Sequence, residues 1–235
     1  MSEDAKLRKI RQLLVLAEDP GATPAEAQSC RDKAERLMAQ YGIDAALLAK
    51  DGHRAVGIVD AFVRLDAPYV RDKATLAVHV AHAMRCQSVL VGAEPCISVH
   101  VFGLEADVRC TEILVTSLLL QAAHELARVE IPRGEHVAAF KRSWWQGFSQ
   151  AVYVRLRTVE DDARAQAQAG RDDGEPSVEM VLADRSHEVE QVMHDRYGSL
   201  RRAPRRRLSG TGIDHGYASG ERADLGRGTS LTTRD

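Results

Sequence analysis

The segment Thr23-Pro24-Ala25-Glu26 lies between two amphipathic stretches and constrains the first fifty residues to two helices. Thr23 can cap a helix, Pro24 suits the first helical position, and Glu26 can reach back to complete a capping box. Apolar residues recur at helical spacing on either side, at Leu7, Ile10, Leu13, Leu14 and Ala17, and then at Ala27, Cys30, Ala34, Leu37, Met38 and Tyr41. Two helices joined by a short turn must pack antiparallel to bury these stripes. We predict a helical hairpin whose second helix ends at Gly42 in the left-handed conformation.

The same segment resembles a known family. The string KLRKIRQLLVLAEDPGATPAEAQSCRDKAERLMAQYGID is similar to the domain-of-unknown-function family 2786, and the match is carried by Glu26, Ala27, Lys33, Ala34, Leu37, Met38, Tyr41 and Gly42. The rest of the chain resembles the α+β companion domain that follows this hairpin in phage, prophage and actinobacterial proteins. The family has no agreed activity, so the resemblance implies a genomic context and no mechanism.

The remainder of the chain predicts a few strands followed by long helices. Ile58 to Leu65 alternates as a strand does, and 86–91 and 96–102 read as a β-hairpin around Gly92. Helices are predicted over 69–84, 104–129, from 135 past 157, and over 185–197, with a short strand at 178–182. This order favours an α+β fold, an N-terminal antiparallel helical hairpin followed by a small mainly antiparallel sheet packed against long helices. We place a domain boundary between 1–50, the hairpin, and 51–235, the α+β part with a basic, Gly-rich C-terminal segment.

Composition excludes several classes of protein. Lys and Arg (32) nearly balance Asp and Glu (34), so any nucleic-acid binding must use a local patch. The N-terminus carries no secretory signal, and no apolar run is long enough to span a membrane. Cys30, Cys86, Cys96 and Cys110 are scattered without a C-x-x-C pair, which is typical of free thiols in a reducing cytoplasm. We expect a cytoplasmic protein that does not bind a membrane.

Histidines and cysteines near the predicted β-hairpin suggest a zinc site, but their spacing argues against one. The candidates are His79, His82, Cys86, Cys96 and His100. Cys96 and His100 would lie about 13 Å apart on one strand, too far to share a tetrahedral ion. His124-Glu125 starts like H-E-x-x-H but ends in Arg128, and His187 and His194 are about 10.5 Å apart along a helix. We predict no metal and no cofactor.

Catalytic signatures are also missing from the sequence. There is no G-x-S-x-G elbow, and Gly210-Thr211-Gly212 lacks the lysine of a phosphate-binding loop. Asp214, His215 and Asp224 could form an acid-base or metal group, although nothing in their spacing requires it. Gly212, Gly216 and Gly220 recur every four residues, which favours close helix packing over a phosphate-binding loop.

Arginines form the sharpest charge signal in the chain. Five of the seven residues from 201 to 207 are arginine, namely Arg201, Arg202, Arg205, Arg206 and Arg207. Such a run can clamp phosphates, while the alternative is a solvated basic stretch. The basic face of the first helix, with Lys6, Arg8, Lys9 and Arg11, would extend the patch if the fold brings the two together.

Aromatic residues are concentrated in the helix that contains Trp144 and Trp145. Trp145, Phe148 and Val152 share a face that we predict to be core. Trp144 lies to the side of that face, where exposure for stacking or for an interface is the alternative to core filling.

These observations favour a non-catalytic or accessory protein of phage or mobile-element type that associates with nucleic acid. Its expected contacts are the five arginines together with Lys6, Arg8 and Arg11. One alternative is an enzyme with an unrecognised site near the Gly-rich C-terminal segment. Another is a protein-interaction module that uses the hairpin as a docking surface.

Overall fold

A computed structural model describes residues 3–17, 23–50, 57–171, 176–201 and 208–223. The described residues form helices and strands in the order α1 Glu3–Ala17, α2 Pro24–Lys50, β1 Ile58–Leu65, α3 Val70–Ala83, β2 Gln87–Ala93, β3 Cys96–Leu104, α4 Glu105–Arg128, α5 Val137–Ala169, α6 Val178–Tyr197 and α7 Ile213–Arg222. The fold is α+β, as the sequence predicts.

A three-stranded antiparallel sheet in the order β1-β3-β2 has β3 at its centre. Side chains of a strand alternate between the two faces, so β3 divides the molecule into two layers. Val99 and Val101 point into the main core, which they share with α3, α4 and α5. Leu104 points the other way and packs with Val178 and Leu182 of α6. One sheet face is therefore covered by α3 and α4, and the other by α6, with α2 beside Leu104.

Helices α1 and α2 pack against each other, and the short turn predicted between them lies outside the described residues. The predicted capping box is confirmed. The Thr23 amide donates to Glu26 Oε2 at 3.0 Å, and the Glu26 amide donates to Thr23 Oγ1 at 3.3 Å. Hydrogen bonds from Thr23 lower the pKa of the Glu26 carboxyl. The helix starts at Pro24 because these reciprocal bonds satisfy backbone donors that its first turn leaves open.

The apolar stripes of α1 and α2 join the main core of the protein. Leu7, Ile10 and Met38 are buried in the same cluster as side chains of α4 and α5. In addition to each other, the two helices have α4, α5 and α6 as neighbours. This burial weakens the hypothesis that the hairpin is a free docking surface, because its apolar stripes are already covered. The division into domains 1–50 and 51–235 stays a prediction about independent folding.

Gly42 does not end α2, which continues to Lys50. The prediction of a left-handed stop there is wrong, and the glycine has a different role. A methyl group at this position would overlap the Arg85 guanidinium and the Asp107 carboxylate. Gly42 therefore provides space for a close approach between α2 and a buried ion pair, a long-range requirement that a local pattern does not reveal.

The segment predicted as a short strand at 178–182 is the first turn of α6. Ser177 caps this helix by accepting a hydrogen bond from the Met180 amide at 3.2 Å. Val178, Val181 and Leu182 are all buried, which is the spacing of a helix face and not of a strand. A segment of only five residues is ambiguous by periodicity alone, and packing against α2 resolves it here.

Helix α7 packs along α5 through its small residues. A methyl group at Gly216 would overlap the backbone of Trp144, and one at Gly220 would come within 2.7 Å of the Phe148 carbonyl oxygen. On α5, Gly147 has the same role toward the backbone of Ile213. The prediction that these glycines allow close helix packing is confirmed, and the alternative of a phosphate-binding loop is wrong, because Gly216 and Gly220 are helical.

Trp144 is completely buried, so the alternative that it is exposed for stacking is wrong. It stacks on Phe148 with ring centroids 5.1 Å apart, and α7 covers the flank of α5 on which it lies. The sequence places Trp144 beside the core face of α5. It does not reveal that a second helix closes that flank.

None of the helices in the described ranges combines the length and the apolar character needed to cross a membrane.

Candidate nucleic-acid interface

Four rings form an aromatic cluster, defined here as Phe62, His100, Phe102 and Tyr197, on the sheet face that α6 covers. Phe62 lies directly opposite His100 in the antiparallel register of β1 and β3. The two rings are stacked, with centroids 3.8 Å apart and an interplanar angle of 16°. Tyr197, the last residue of α6, approaches His100 and Phe102 edge-on, with centroids 5.6 and 6.0 Å away.

His100 is fully buried and has hydrogen-bond partners at both ring nitrogens. Its Nε2 lies 2.7 Å from Asp60 Oδ2, and its Nδ1 lies 2.6 Å from the Tyr197 hydroxyl. A carboxylate only accepts, so Nε2 carries the proton toward Asp60, and in the neutral imidazole Nδ1 then accepts from the tyrosine. This chain of hydrogen bonds fixes the orientation of the imidazole and ties the end of α6 to the centre of the sheet.

Phe62 is 48% exposed although it stacks on a buried ring. The reason is its position on β1, an edge strand of the sheet. His100 covers one face of the phenyl ring, and no strand in the described part of the chain lies beyond β1 to cover the other. Arg64, two residues along the same strand and therefore on the same sheet face, is also exposed. An aromatic face and a guanidinium thus lie side by side at the sheet edge.

Arg201 follows the end of α6 and is exposed. It is the one member of the arginine run that the structure describes, since Arg202, Arg205, Arg206 and Arg207 lie outside the described residues. Only three residues separate Arg201 from Tyr197, so the run begins within about 15 Å of the aromatic cluster. The chain therefore leaves the cluster and enters its most basic segment.

The basic residues of the first helix belong to a different helix pair. Arg8 and Arg11 are exposed, and the ammonium group of Lys6 lies 5.5 Å from the centre of the Tyr41 ring. Helix α1 packs against α2 and α4, whereas the arginine run follows α6. Helix α6 contacts α2 through its own first turns, near Ile43. The last residue of α6, which precedes the arginine run, lies about 30 Å further along the axis of α6.

The histidines considered for zinc have other partners. His79 Nδ1 lies 3.1 Å from the Ser149 carbonyl oxygen, and His82 Nδ1 lies 3.0 Å from the Tyr153 hydroxyl. Burial lowers the pKa of both imidazoles, and for His82 the nearby Arg157 and His79 lower it further. Cys96 is exposed at the start of β3, whereas Cys86 is buried. The described residues contain no group of three or more His, Cys, Asp or Glu side chains that could hold a metal ion.

The residues of the enzyme hypothesis do not form a recognisable site. Asp214 and His215 are exposed on the first turn of α7, and Asp224 lies outside the described residues. The glycines around them are used in packing against α5. Neither observation supports an acid-base group at this end of the chain.

Sequence reasoning missed a buried ion cluster of Arg85, Asp107 and Glu160. Arg85 has a positive φ of 62° just after α3, and its guanidinium donates to Asp107 Oδ1 at 2.5 Å and to Glu160 Oε1. Burial lowers the pKa of Arg85, but the two carboxylates outweigh it and the net effect is a raised pKa. Burial also raises the pKa of Asp107 against the opposing effect of Arg85. Since the three residues are far apart in sequence, no local pattern indicates the cluster.

His100, Asp60 and Tyr197 as a connected group were missed for the same reason. The only signal available in the sequence was the alternation of β1, which places Asp60, Phe62 and Arg64 on one face.

Comparisons with curated proteins and with solved structures found no significant match. Residues 5–45, which cover α1 and most of α2 but stop before its end at Lys50, match the family model described as a protein of unknown function, DUF2786.

Proposed function

We propose that the protein is an accessory nucleic-acid-binding protein that holds a single strand at the edge of its sheet. The observation that carries the proposal is the exposed face of Phe62, supported from behind by His100. Bases of a single strand have exposed π-faces and stack on such rings, whereas bases inside a duplex are already stacked. The orientation of His100, held by Asp60 and Tyr197, keeps the platform rigid before binding.

Charge near the platform favours the same ligand. Arg64 is exposed on the same sheet face, and Arg201 starts the arginine run after α6. We propose that Arg201, Arg202, Arg205, Arg206 and Arg207 contact backbone phosphates while a base stacks on Phe62. Lys6, Arg8 and Arg11 would contribute to the general basic character of the surface, since they lie on α1. Binding of this kind depends steeply on salt, because each phosphate contact releases counterions.

The setting of this function is also part of the proposal. The family resemblance suggests a phage or mobile-element context, and a cytoplasmic location fits the free state of Cys30, Cys86, Cys96 and Cys110. A second protein as partner is the alternative, since several large apolar side chains are exposed, Phe62 among them.

Fluorescence anisotropy with a labelled single-stranded oligonucleotide tests the proposal at low and at physiological salt. Phe62→Ala should weaken binding by about tenfold or more, since stacking on one aromatic ring contributes about 1–3 kcal/mol per base. Leu90→Ala is the matched control. Leu90 is also large, apolar and exposed, but it pairs with Val99 and therefore lies on the opposite sheet face.

Replacing all five arginines with glutamine should weaken binding and flatten the dependence of affinity on salt. Two results would overturn the proposal: no binding by the wild-type protein at low salt, or an affinity that neither the Phe62 variant nor the arginine variant changes. An equal loss for Phe62→Ala and Leu90→Ala would show that the sheet edge is not the binding surface.

A further inference from the structure

A cavity of about 270 Å³ lies between α5 and α6, on the side of the molecule where α3 ends and α4 begins. Its apolar lining comes from Ala46, Leu104, Leu182 and Val189. Four arginines dominate its charged lining, namely Arg85, Arg157, Arg164 and Arg185. Two carboxylates, Asp107 and Glu179, also line it. The volume is close to the lower end of the range found for small-molecule pockets, about 300–1,000 Å³. We propose that this cavity binds a small molecule carrying a phosphate group.

Arg85 is the least available of the four arginines. Its guanidinium is enclosed by Asp107 and Glu160, and side-chain exposure of the three residues is 9% or less. It therefore forms a fixed part of the wall, and its charge is balanced within the protein. The three other arginines decide whether the cavity can hold an anion.

Arg157, Arg164 and Arg185 keep donors available. Within the described part of the chain, each makes one charged contact: Arg157 with Asp161 at 3.4 Å, Arg164 with Glu160 at 3.5 Å, and Arg185 with Glu188 at 2.6 Å. A guanidinium has five N–H donors in a planar fork, so one contact leaves most of them unused. The three side chains are 21 to 33% exposed, which places them between the core and solvent.

Arg164 is only weakly paired within the protein. Its Nε is buried and lies 3.5 Å from Glu160 Oε1, a contact that is an ion pair but not a hydrogen bond. Since a guanidinium has five N–H donors, this one contact leaves donors of Arg164 for an anion in the cavity.

Phosphate is the acceptor that fits these donors best. It presents several oxygens to converging guanidinium forks, and arginine is the preferred residue for such bidentate contacts. The apolar wall formed by Leu104, Leu182 and Val189 would contact the remainder of the molecule. A dinucleotide or a long polymer does not fit a cavity of this volume, so the expected ligand is a compact phosphomonoester.

This site is independent of the nucleic-acid surface proposed above. The aromatic cluster lies at the end of α6, around Tyr197, whereas the cavity is lined by α6 residues between Glu179 and Val189. The two proposals can therefore fail separately.

Isothermal titration with inorganic phosphate and with phenyl phosphate, at an ionic strength held constant with sodium chloride, tests the site. Wild-type protein should show saturable binding of both, and tighter binding of phenyl phosphate because of the apolar wall. Arg157→Gln and Arg185→Gln should each weaken binding about tenfold, as expected for the loss of a hydrogen bond to a charged group. Arg71→Gln is the control, since Arg71 forms an exposed ion pair with Glu94 at 3.3 Å and does not line the cavity.

A second measurement guards against variants that bind poorly because they are misfolded. Phosphate should raise the melting temperature of the wild-type and Arg71→Gln proteins more than that of Arg157→Gln and Arg185→Gln, whose circular dichroism without phosphate should match the wild-type protein. The proposal is overturned if wild-type protein shows no saturable binding at millimolar phosphate, or if Arg71→Gln lowers affinity as much as the other two substitutions.

A short oligonucleotide provides the last arm of the experiment. If Arg157→Gln and Arg185→Gln reduce oligonucleotide affinity while neither small phosphate binds, the arginines contact a polymer and the small-molecule site does not exist. If Phe62→Ala abolishes oligonucleotide binding and leaves phosphate affinity within about twofold, the cavity is a separate site, as expected for distant substitutions.

Discussion

The hydroxyl of Tyr197 lies 2.6 Å from Nδ1 of His100, and this hydrogen bond joins the end of α6 to the central strand of the sheet. His100 is completely buried, so its ring nitrogen has no access to solvent if the hydroxyl is removed. Tyr197 is also the last residue of α6, and three residues separate it from Arg201. The same contact therefore holds the end of α6 from which the chain continues to Arg201.

Tyr197→Phe tests the structural part of this relationship. The substitution keeps the aromatic ring but leaves His100 Nδ1 unpaired, and we expect the free energy of unfolding to fall by about 1–3 kcal/mol. Urea denaturation followed by circular dichroism measures the change. Tyr217→Phe is the control, because no described residue forms a hydrogen bond with its hydroxyl, and it should cost less than about 0.5 kcal/mol. Equal losses in the two variants would contradict the assignment.

Gly42→Ala should have two opposing effects on the free energy of unfolding. In the interior of a helix, alanine is more favourable than glycine by about 1 kcal/mol. A methyl group here would instead overlap the buried Arg85–Asp107 pair and force its side chains to shift, and overpacking of this kind costs about 1–3 kcal/mol, occasionally more. We expect clear destabilisation in urea denaturation. Gly57→Ala is the control, since a methyl group at Gly57 meets nothing within 4 Å. A neutral or stabilising Gly42→Ala would show that α2 and Arg85 are not in close contact.

Gly216→Ala should loosen α7 from α5. The added methyl group overlaps backbone atoms of Trp144, and these cannot move aside as the end of a flexible side chain can. We expect faster hydrogen exchange of the amides in 213–222 and a red-shifted tryptophan emission as Trp144 gains access to water. Glu221→Ala, an exposed substitution on the same helix, should change neither quantity. Unchanged exchange in the Gly216 variant would contradict the close helix packing.

His79 and His82 should make stability depend on pH between about 7 and 5. Burial lowers the pKa of both imidazoles in the folded state, so the unfolded chain binds protons more readily than the folded one. The stability contributed by the two neutral imidazoles is therefore fully present above the unfolded pKa of about 6.5. It is lost as the pH falls below about 6.5 toward the lower pKa values of the folded state.

Urea midpoints at pH 7, 6 and 5 measure this dependence. The double variant His79→Gln and His82→Gln should show a flatter decline than the wild-type protein. His124→Gln, which replaces an exposed histidine of α4, should decline as the wild-type protein does. A double variant that loses as much stability as the wild-type protein on acidification would assign the effect to other groups.

Local features of the sequence were sufficient for much of the secondary structure. The capping box of Thr23 and Glu26 involves residues three apart, and the alternation in β1 and the glycine spacing of α7 are equally local. The α+β class follows from the order in which these elements occur. Errors occurred where a local pattern has two meanings. Gly42 can end a helix or allow close contact, and a short segment such as 178–182 can be a strand or a buried helix turn.

The candidate site depended on contacts between distant residues. Of the aromatic cluster, the sequence placed Phe62 on one face of β1, but it did not indicate that His100 would stack against it or that Tyr197, 97 residues further along the chain, would reach His100. The cavity between α5 and α6 likewise combines arginines from the turn after α3, from α5 and from α6.

The sequence by itself determined the capped helices, the strand alternation, the α+β class and the existence of a strongly basic segment, because each depends on residues within a few positions of one another. Only the tertiary structure decided which helix covers Trp144, why Gly42 must be small, which side chains surround His100 and which arginines converge on one cavity. Those outcomes depend on how helices and sheet pack, and packing brings together side chains that are far apart in the sequence and that no local pattern links.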